Sequence, residues 1–137
     1  VRKMYVIDHR AGAGGNPTYL SNAHTAELGA AVRRPTVLAG DPHERSLTLW
    51  SHNRIETGVW DCTPGVFPFR RDGYDEVFCV LAGHATLAFD SGMTFDMRPG
   101  SMLVTPSGST GTWTVHETVR KAFVIVSDRD PQRSPAG

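Results

Sequence analysis

Two charged residues, Glu76 and Lys121, lie inside apolar stretches of this 137-residue sequence, and both could do acid–base chemistry. A charge on an apolar strand is costly unless water or an opposite charge compensates it. A carboxylate in an apolar pocket has a raised pKa and can transfer a proton. A buried lysine can bind an anion, or lose its proton and act as a base. The structural alternatives are a carboxylate paired with a cation and a lysine that points to solvent.

The face of the strand on which each residue lies decides between these alternatives. Side chains alternate between the two faces of a strand, so Glu76 shares a face with Phe78. Lys121 shares a face with Phe123, and if that face is inward, its ammonium can meet the Glu76 carboxylate. In the opposite orientation Arg120 faces inward and Lys121 is exposed. The sequence leaves both orientations open.

Further side chains in the expected strand pattern are candidates for contacting a substrate. Tyr74 shares parity with Glu76 and is a catalytic candidate with Glu76 and Lys121, because its hydroxyl could donate a phenolic hydrogen bond. Its alternative is a position at a turn or at the rim of the barrel. Trp113 could stack on a flat substrate, and Arg71 could clamp a carboxylate. The other predicted substrate-binding residues are Phe78, Phe67, Phe69 and His84. Their structural alternatives are core packing for the aromatic residues, a solvated turn for the arginine and a hydrogen-bonded strand position for the histidine.

Short apolar segments separated by glycine and proline turns must position these residues, and this pattern predicts an all-β fold. The segment 46–51 alternates with the period of a half-buried strand. The segment 66–70 is expected to be an edge strand, because Pro68 cannot donate a ladder hydrogen bond. The segments 76–81 and 84–89 are expected to be separate strands. The remaining predicted strands are 58–63, 93–97, 102–105, 112–115 and 120–126.

The chain length indicates one domain with extensions at both ends. We predict an N-terminal arm at residues 1–40, a β-barrel at residues 41–127 and a disordered, proline-rich tail at residues 128–137. The arm includes a possible short helix at 25–32 and is expected to cover a sheet or a partner subunit. Barrel edges and exposed apolar residues in the arm favour a homodimer.

The formal net charge is zero, which argues against nucleic acid or an anionic membrane as a partner. No apolar run approaches the roughly 18 residues of a membrane span, and the N-terminus lacks the pattern of a signal peptide. We therefore expect a cytoplasmic protein whose partner is a small-molecule substrate. In a reducing compartment, Cys62 and Cys79 are expected to be thiols rather than a disulfide.

Several motifs, in order, resemble the small single-domain cupins related to ureidoglycine aminohydrolase and the ethanolamine-utilisation cupins. The motifs are Glu76 with Gly83, Pro99-Gly100 and Pro106-x-Gly108, flanked by segments 58–65, 111–113 and 117–121. The resemblance covers residues 40 to 126 approximately. It implies a jelly-roll β-barrel with the Glu76 face pointing into the barrel. The fold hosts many chemistries, so it implies no single reaction.

The sequence departs from the resembled family where a metal site would be. A metal-binding cupin usually supplies a His-x-His pair, the glutamate, and a histidine after the Pro-x-Gly motif. Here the segment 69–75 has no histidine, and the later position is Gly111. One carboxylate does not provide the three or four ligands that a divalent transition metal requires. We therefore expect no metal and no other cofactor. The alternative is a divalent metal held by Asp75, Glu76 and a histidine from elsewhere.

These observations favour a metal-independent enzyme of cupin fold that acts on a small molecule by acid–base chemistry. Isomerisation, elimination, cyclisation and hydrolysis all fit, within small-molecule or specialised metabolism. Two alternatives remain open at this point: a non-catalytic ligand-binding module, and a metal-dependent cupin with rebuilt ligands.

Overall fold

A computed structural model describes residues 2–7 and 15–128 of the chain. Nine antiparallel strands form one curled sheet, and the described residues contain no helix, so the predicted all-β class is confirmed. The predicted helix at 25–32 is wrong, because this stretch is turn and irregular backbone up to the first strand. The strands are β1 Val32–Arg33, β2 Ala39–Gly40, β3 His43–His52, β4 Ile55–Cys62, β5 Gly65–Arg70, β6 Tyr74–Phe89, β7 Thr94–Met97, β8 Met102–Thr105 and β9 Thr110–Ser127.

Two long strands, β6 and β9, pair along nearly their whole lengths and organise the fold. The predicted break at Ala82-Gly83 is instead a bulge inside β6, where the register to β9 shifts between Val80 and Ala85. Gly83 has a φ of +83°, and a Cβ there would lie 2.0 Å from the carbonyl oxygen of Thr118. Only glycine permits this close approach of two backbones. The bulge bends both strands, as bulges do.

The bend divides the sheet into two halves that pack face to face. Strands β4 and β8 flank the first half of β6 and the second half of β9, whereas β5 and β7 flank the other two halves. The ring of Phe78 in one half lies 5.7 Å from that of Trp113 in the other. This arrangement is the jelly roll that the motif order implies, and that prediction is confirmed.

The edge position predicted for the proline-containing strand is confirmed only for the part beyond Val66, because the start of β5 pairs with β2. Beyond β5 only the two-residue β2 pairs, and it stops at Val66. Pro68 pairs with Thr112 of β9 on one side and faces no strand on the other. A proline is tolerated there because no ladder hydrogen bond is needed.

The segment before β1 lies against the barrel. The Arg120 guanidinium donates hydrogen bonds to the carbonyl oxygens of Ala23, His24 and Ala26 and to the Asp61 carboxylate. These contacts are on the outer face of β9, which places the neighbouring Lys121 inside. Of the predicted tail, only Asp128 is described, and residues 129–137 lie outside the described residues. No helix long and apolar enough to cross a membrane occurs in the described part of the chain.

Candidate active site

Three charged side chains meet inside the barrel, and Glu76 joins the other two. Nζ of Lys121 donates to Oε2 of Glu76 at 2.8 Å, and Nη2 of Arg71 donates to the same oxygen at 3.2 Å. All three side chains are less than a tenth exposed. Among the described residues, no donor contacts Oε1 of Glu76. The cluster therefore holds two cations on one carboxylate oxygen and leaves the other oxygen open to the interior.

Strand register explains how Glu76 and Lys121 come to face each other. Glu76 pairs with Ile125 and Thr105, and Lys121 pairs with Val80 and Trp60. Residues paired across neighbouring strands share a face, so all of these point into the barrel. Of the two orientations that the sequence left open for Lys121, the structure has the inward one.

Arg71 is held in place by the loop that carries the Pro-x-Gly motif. Its backbone N–H donates to the carbonyl of Ser109, and its carbonyl accepts from the N–H of Gly108. Its Nε donates to Oγ1 of Thr105 at 3.0 Å. The hydroxyl of Thr105 in turn donates to the backbone carbonyl of Glu76. These bonds fix the guanidinium beside the carboxylate, so the predicted alternative of a solvated turn does not apply to Arg71.

The ammonium of Lys121 is surrounded by aromatic rings. Nζ lies 4.5 Å from the ring centre of Phe78, 4.6 Å from that of Trp60 and 5.1 Å from that of Trp113. Such cation–π contacts stabilise a charge that has lost its water. Phe78 is fully buried beneath the ammonium, and its predicted contact with a substrate stays a prediction.

A cavity of about 240 Å³ opens beside this cluster, and we call it the inner cavity. Its charged lining residues are Arg34, Glu44, Arg71, Glu76 and Lys121. With all five ionised, the lining carries one net positive charge. Its aromatic lining residues are Trp60, Phe67, Phe69, Tyr74, Trp113 and Phe123. The volume equals about eight water molecules at ~30 Å³ each, so the cavity suits a compact molecule.

The electrostatic balance inside the cluster differs from the sequence expectation for Glu76. Burial raises the pKa of Glu76, but the charges of Lys121 and Arg71 and the hydrogen bond from Lys121 outweigh it, so the pKa is lowered. The predicted raised pKa is therefore wrong, because the sequence does not show which cations approach the carboxylate. Glu76 is ionised at neutral pH and accepts hydrogen bonds.

Lys121 has its pKa lowered as well, and here burial is the dominant cause. The Glu76 carboxylate raises the pKa of Lys121, and the Arg71 charge lowers it further. A lysine in this state gives up its proton more readily than one in water. In the buried pair, Glu76 is therefore the hydrogen-bond acceptor, and Lys121 is an ammonium that loses its proton more easily than a lysine in water.

Most, but not all, of the predicted site residues line the inner cavity. Tyr74, Phe67, Phe69, Arg71 and Trp113 line the inner cavity with Glu76 and Lys121. The Tyr74 hydroxyl donates to the backbone carbonyl of Arg70 at 3.2 Å. Whether any of these residues acts on a substrate stays a prediction.

His84 lies outside the inner cavity, contrary to its predicted place there. The bulge in β6 changes the inward parity from even-numbered residues, such as Phe78, to odd-numbered ones, such as Leu87. His84 therefore projects to the opposite face, where it contacts the Asp96 carboxylate and stacks on His116 at 4.5 Å. The bulge was not recognisable from alternation alone.

Sequence reasoning missed four residues of the site. Arg34 stacks on Phe67 at 4.4 Å and donates to Glu44. Nε1 of Trp60 donates to the same Glu44 oxygen at 3.2 Å, and Thr105 holds Arg71. Arg34 and Glu44 lie in segments with no apolar alternation to mark a face, so no sequence signal identified them. Trp60 was identifiable, since it lies on a predicted strand.

The residues around Glu76 do not fit the metal site of the resembled cupins. The described residues contain no group of three or more histidine, cysteine or carboxylate side chains placed to hold a metal ion. Two cations already bind Oε2 of Glu76, and their charges oppose a third. A Cβ at Gly111, where the family has a histidine, would lie 2.2 Å from the carbonyl oxygen of Ala88. That position therefore has no room for a histidine.

A larger, more open space of about 690 Å³ adjoins the inner cavity, and we call it the outer cavity. The two share Arg34, Phe69, Arg71 and Tyr74 in their walls. The outer cavity lacks Glu76 and Lys121, so its size alone does not make it the site of chemistry.

Comparison with known proteins identifies the barrel and leaves the reaction open. Residues 51–123 match the family model for the EutQ-like cupin domain. No curated protein sequence matches the chain.

Solved structures with this fold differ in the functions given to them. A protein of unknown function from Pseudomonas syringae pv. tomato str. DC3000, of the DUF861 family, superposes with a TM-score of 0.67 at 22% identity over 75% of this chain. The match covers 46% of that protein, so this chain spans less than half of its length. The Clostridium difficile EutQ protein gives 0.57 at 20% identity over 64% of this chain and 70% of its own. A predicted oxalate decarboxylase from Thermotoga maritima gives 0.56 at 17% identity over 74% and 94%. Identities this low establish the fold alone.

Proposed function

This chain belongs to the EutQ-like cupin family, and from that premise we propose that its inner cavity is a metal-independent site that binds a small organic anion and transfers a proton to or from it. The observation that carries the proposal is the buried contact of 2.8 Å between Lys121 and Glu76 at the wall of an aromatic cavity. A structural ion pair needs no adjoining cavity, whereas a proton-transferring pair must be within reach of a ligand.

The charge of the cavity supports an anion as ligand. Three cationic and two anionic side chains line it, and one positive charge is left over. Among the described residues, no acceptor contacts Nη1 of Arg71, so this N–H group is available for a carboxylate. Burial of an uncompensated charge is costly, and a bound anion would compensate it.

The lowered pKa of Lys121 supports a role in proton transfer. Burial favours its neutral form, and the neutral amine is a base. Glu76 stabilises the ammonium when the proton is present, while Arg71 stabilises negative charge that develops on the ligand. Removal of a proton next to a carboxylate, as in isomerisation or elimination, fits this arrangement best among the acid–base reactions of the cupin fold.

A non-catalytic ligand-binding module is the second candidate. Glu76 has a lowered pKa and two cationic partners, and such a carboxylate is a weak base. The same cavity and charge would then serve binding alone.

A binding experiment tests the first step. Small acids (oxalate, malonate, succinate, pyruvate and glyoxylate) would be screened by thermal shift and by calorimetry. We expect at least one to bind, and we expect Arg71→Met to weaken binding about tenfold or more, the equivalent of about 1.4 kcal/mol. Arg98→Met is the matched control, since the Arg98 side chain is 65% exposed and lines neither cavity. Equal affinity in both variants, or no binding by any acid, would contradict the proposal.

Hydrogen exchange distinguishes the two candidate functions, an enzyme and a non-catalytic binding module. A bound acid with an exchangeable C–H would be incubated in deuterium oxide and followed by NMR. We expect exchange with the wild-type protein, loss with Lys121→Met and no change with Glu117→Gln, which alters an exposed carboxylate. Binding without exchange would favour the module. Elemental analysis of the same samples tests metal independence.

A homodimer and a cytoplasmic location remain part of this proposal. Strand β8 pairs only with β6 in the described structure and exposes Met102 and Val104, both more than half exposed. Exposed apolar edge strands are usually covered. Light scattering during size exclusion would give the oligomeric state.

A further inference from the structure

We propose that Lys121 is a nucleophile that forms an imine with the carbonyl carbon of a small oxo acid bound in the inner cavity. This inference rests on the proposed anion-binding function and extends it to a covalent step and to a substrate class.

The position of Lys121 suits a nucleophile better than a structural cation. Lys121 lines the inner cavity, and its Nζ makes one hydrogen bond, to Glu76. Its other neighbours are the rings of Trp60, Phe78 and Trp113, and no other acceptor among the described residues contacts it. Ring faces stabilise the ammonium but leave the lone pair of the neutral amine unused. A lysine in an apolar pocket is the usual form of an imine-forming amine.

The protonation behaviour of the pair agrees with this geometry. Burial lowers the pKa of Lys121. Each unit of lowering gives about ten times more neutral amine near neutral pH, and only the neutral amine attacks a carbonyl.

Glu76 provides the proton steps that imine formation requires. The Lys121 ammonium passes one proton to Glu76, and the neutral amine adds to the carbonyl carbon. A C–N bond forms, and the C=O π bond breaks. The carbonyl oxygen takes one proton from the nitrogen and one from Glu76, then leaves as water. A protonated imine remains, Glu76 is again a carboxylate, and no external acid, base or oxidant is consumed.

An oxo acid is the substrate class that matches the surrounding charges. Lys121 and Arg71 contact the same Glu76 oxygen, so one small molecule can reach both cations. Its carboxylate would lie on Arg71, and its carbonyl beside Nζ. The anion also offsets the net positive charge of the lining. The volume of about 240 Å³ accommodates a small oxo acid such as glyoxylate or pyruvate.

Reductive trapping tests the inference in the intact protein. The chain would be incubated with glyoxylate or pyruvate and cyanoborohydride at neutral pH, and modified peptides would be identified by mass spectrometry. The sequence has one other lysine, the exposed Lys3, which serves as an internal reference. We expect one adduct per chain, on Lys121, formed about tenfold or more faster than on Lys3, as a lowered pKa allows. Adducts on Lys3 or the terminal amine alone would overturn the inference.

Two variants make the outcome specific. Lys121→Arg keeps a cation beside Glu76 but cannot form an imine, so trapping should disappear. Lys3→Arg should leave trapping at Lys121 unchanged.

If the oxo acid binds by calorimetry and no Lys121 adduct forms, the imine is refuted while the binding proposal stands. If no small acid binds, both fail. The peptide map of the wild-type protein tests the imine even if Lys121→Arg does not fold.

Discussion

Glu76 and Lys121 are 45 positions apart in the chain, yet Nζ of the lysine lies 2.8 Å from Oε2 of the glutamate inside the barrel. Arg71 shares that oxygen, so a single carboxylate compensates two buried cations. Glu76 thus has two cationic partners, whereas the two cations share one carboxylate. We therefore expect substitutions of the three residues to change the free energy of unfolding by different amounts.

Glu76→Gln is expected to destabilise the fold more than Lys121→Met. The glutamine leaves two buried cations without a hydrogen-bonded carboxylate, and breaking a buried ion pair in this way costs about 3–5 kcal/mol. Lys121→Met leaves Glu76 with Arg71, so we expect a loss of about 1–3 kcal/mol. Urea unfolding followed by circular dichroism measures both. Glu117→Gln should change stability by less than about 0.5 kcal/mol, and a reversed order of the two losses would contradict the shared-oxygen arrangement.

The contribution of Glu76 should disappear in acid. Burial raises its pKa, but Lys121 and Arg71 lower it below the ordinary 4.5. A folded-state pKa below the unfolded value means that the unfolded chain binds more protons in that range. The stabilisation is therefore fully present above pH 4.5 and is lost as the pH falls through the lower folded value.

Unfolding curves of wild type and Glu76→Gln at several pH values test this sign. We expect their difference to be constant from pH 7 to about 5 and to shrink below it. Burial raises the pKa of Asp61, but the hydrogen bonds and charges of Arg45 and Arg120 together lower it. It is present in both proteins, so its effect cancels in the difference. A difference that stays constant below pH 4 would be inconsistent with the pKa direction.

Gly83→Ala should be far more damaging than Gly92→Ala. Both glycines have positive φ, which alone costs an alanine about 1–2 kcal/mol. A Cβ at Gly83 would also lie 2.0 Å from the carbonyl oxygen of Thr118. A Cβ at Gly92 would have no heavy atom within 4 Å. We expect a loss of about 3 kcal/mol or more for Gly83→Ala. Thermal unfolding compares the two, and equal losses would argue against the close crossing of β6 and β9.

Ligand binding should change the fluorescence of the two tryptophans that line the inner cavity. The ring centres of Trp60 and Trp113 lie 4.6 and 5.1 Å from Nζ of Lys121, while Trp50 lies outside that cavity. A bound acid should alter the emission of both cavity tryptophans by changing the charge beside their rings. We expect Trp60→Phe to reduce the ligand-induced change to the part that comes from Trp113, and Trp50→Phe to preserve it. The opposite result would place the ligand elsewhere.

Cys62 should resist thiol reagents in the folded protein. It is fully buried, and burial raises its pKa to about 12. Both described cysteines are free thiols, in line with the sequence expectation. At pH 8 the Cys62 thiolate is too scarce to react, so alkylation should modify Cys79 first, with Cys62 reacting only in denaturant. Fast modification of Cys62 in the native protein would contradict its burial.

Much of the fold was predictable, because local sequence determines strands and turns. Alternating apolar residues located most strands, Pro68 identified an edge strand, and the motifs around Glu76 indicated the jelly roll. The bulge at Gly83 was not predictable as such, since a glycine after apolar residues also fits a turn between two strands. That one difference reversed the face of His84 and removed it from the cavity.

The sequence by itself determined that a carboxylate and a lysine lie in apolar β-structure, and which neighbours each one has on its own strand. Only the tertiary structure decided that Lys121 faces inward, that Arg71 joins it on one oxygen of Glu76, and that the pKa of Glu76 is lowered. Side-chain alternation is a property of one strand, whereas the pKa of a buried group depends on charges brought close by pairing between distant strands. Those pairings come from register, bulge and loop, which no single segment of the chain specifies.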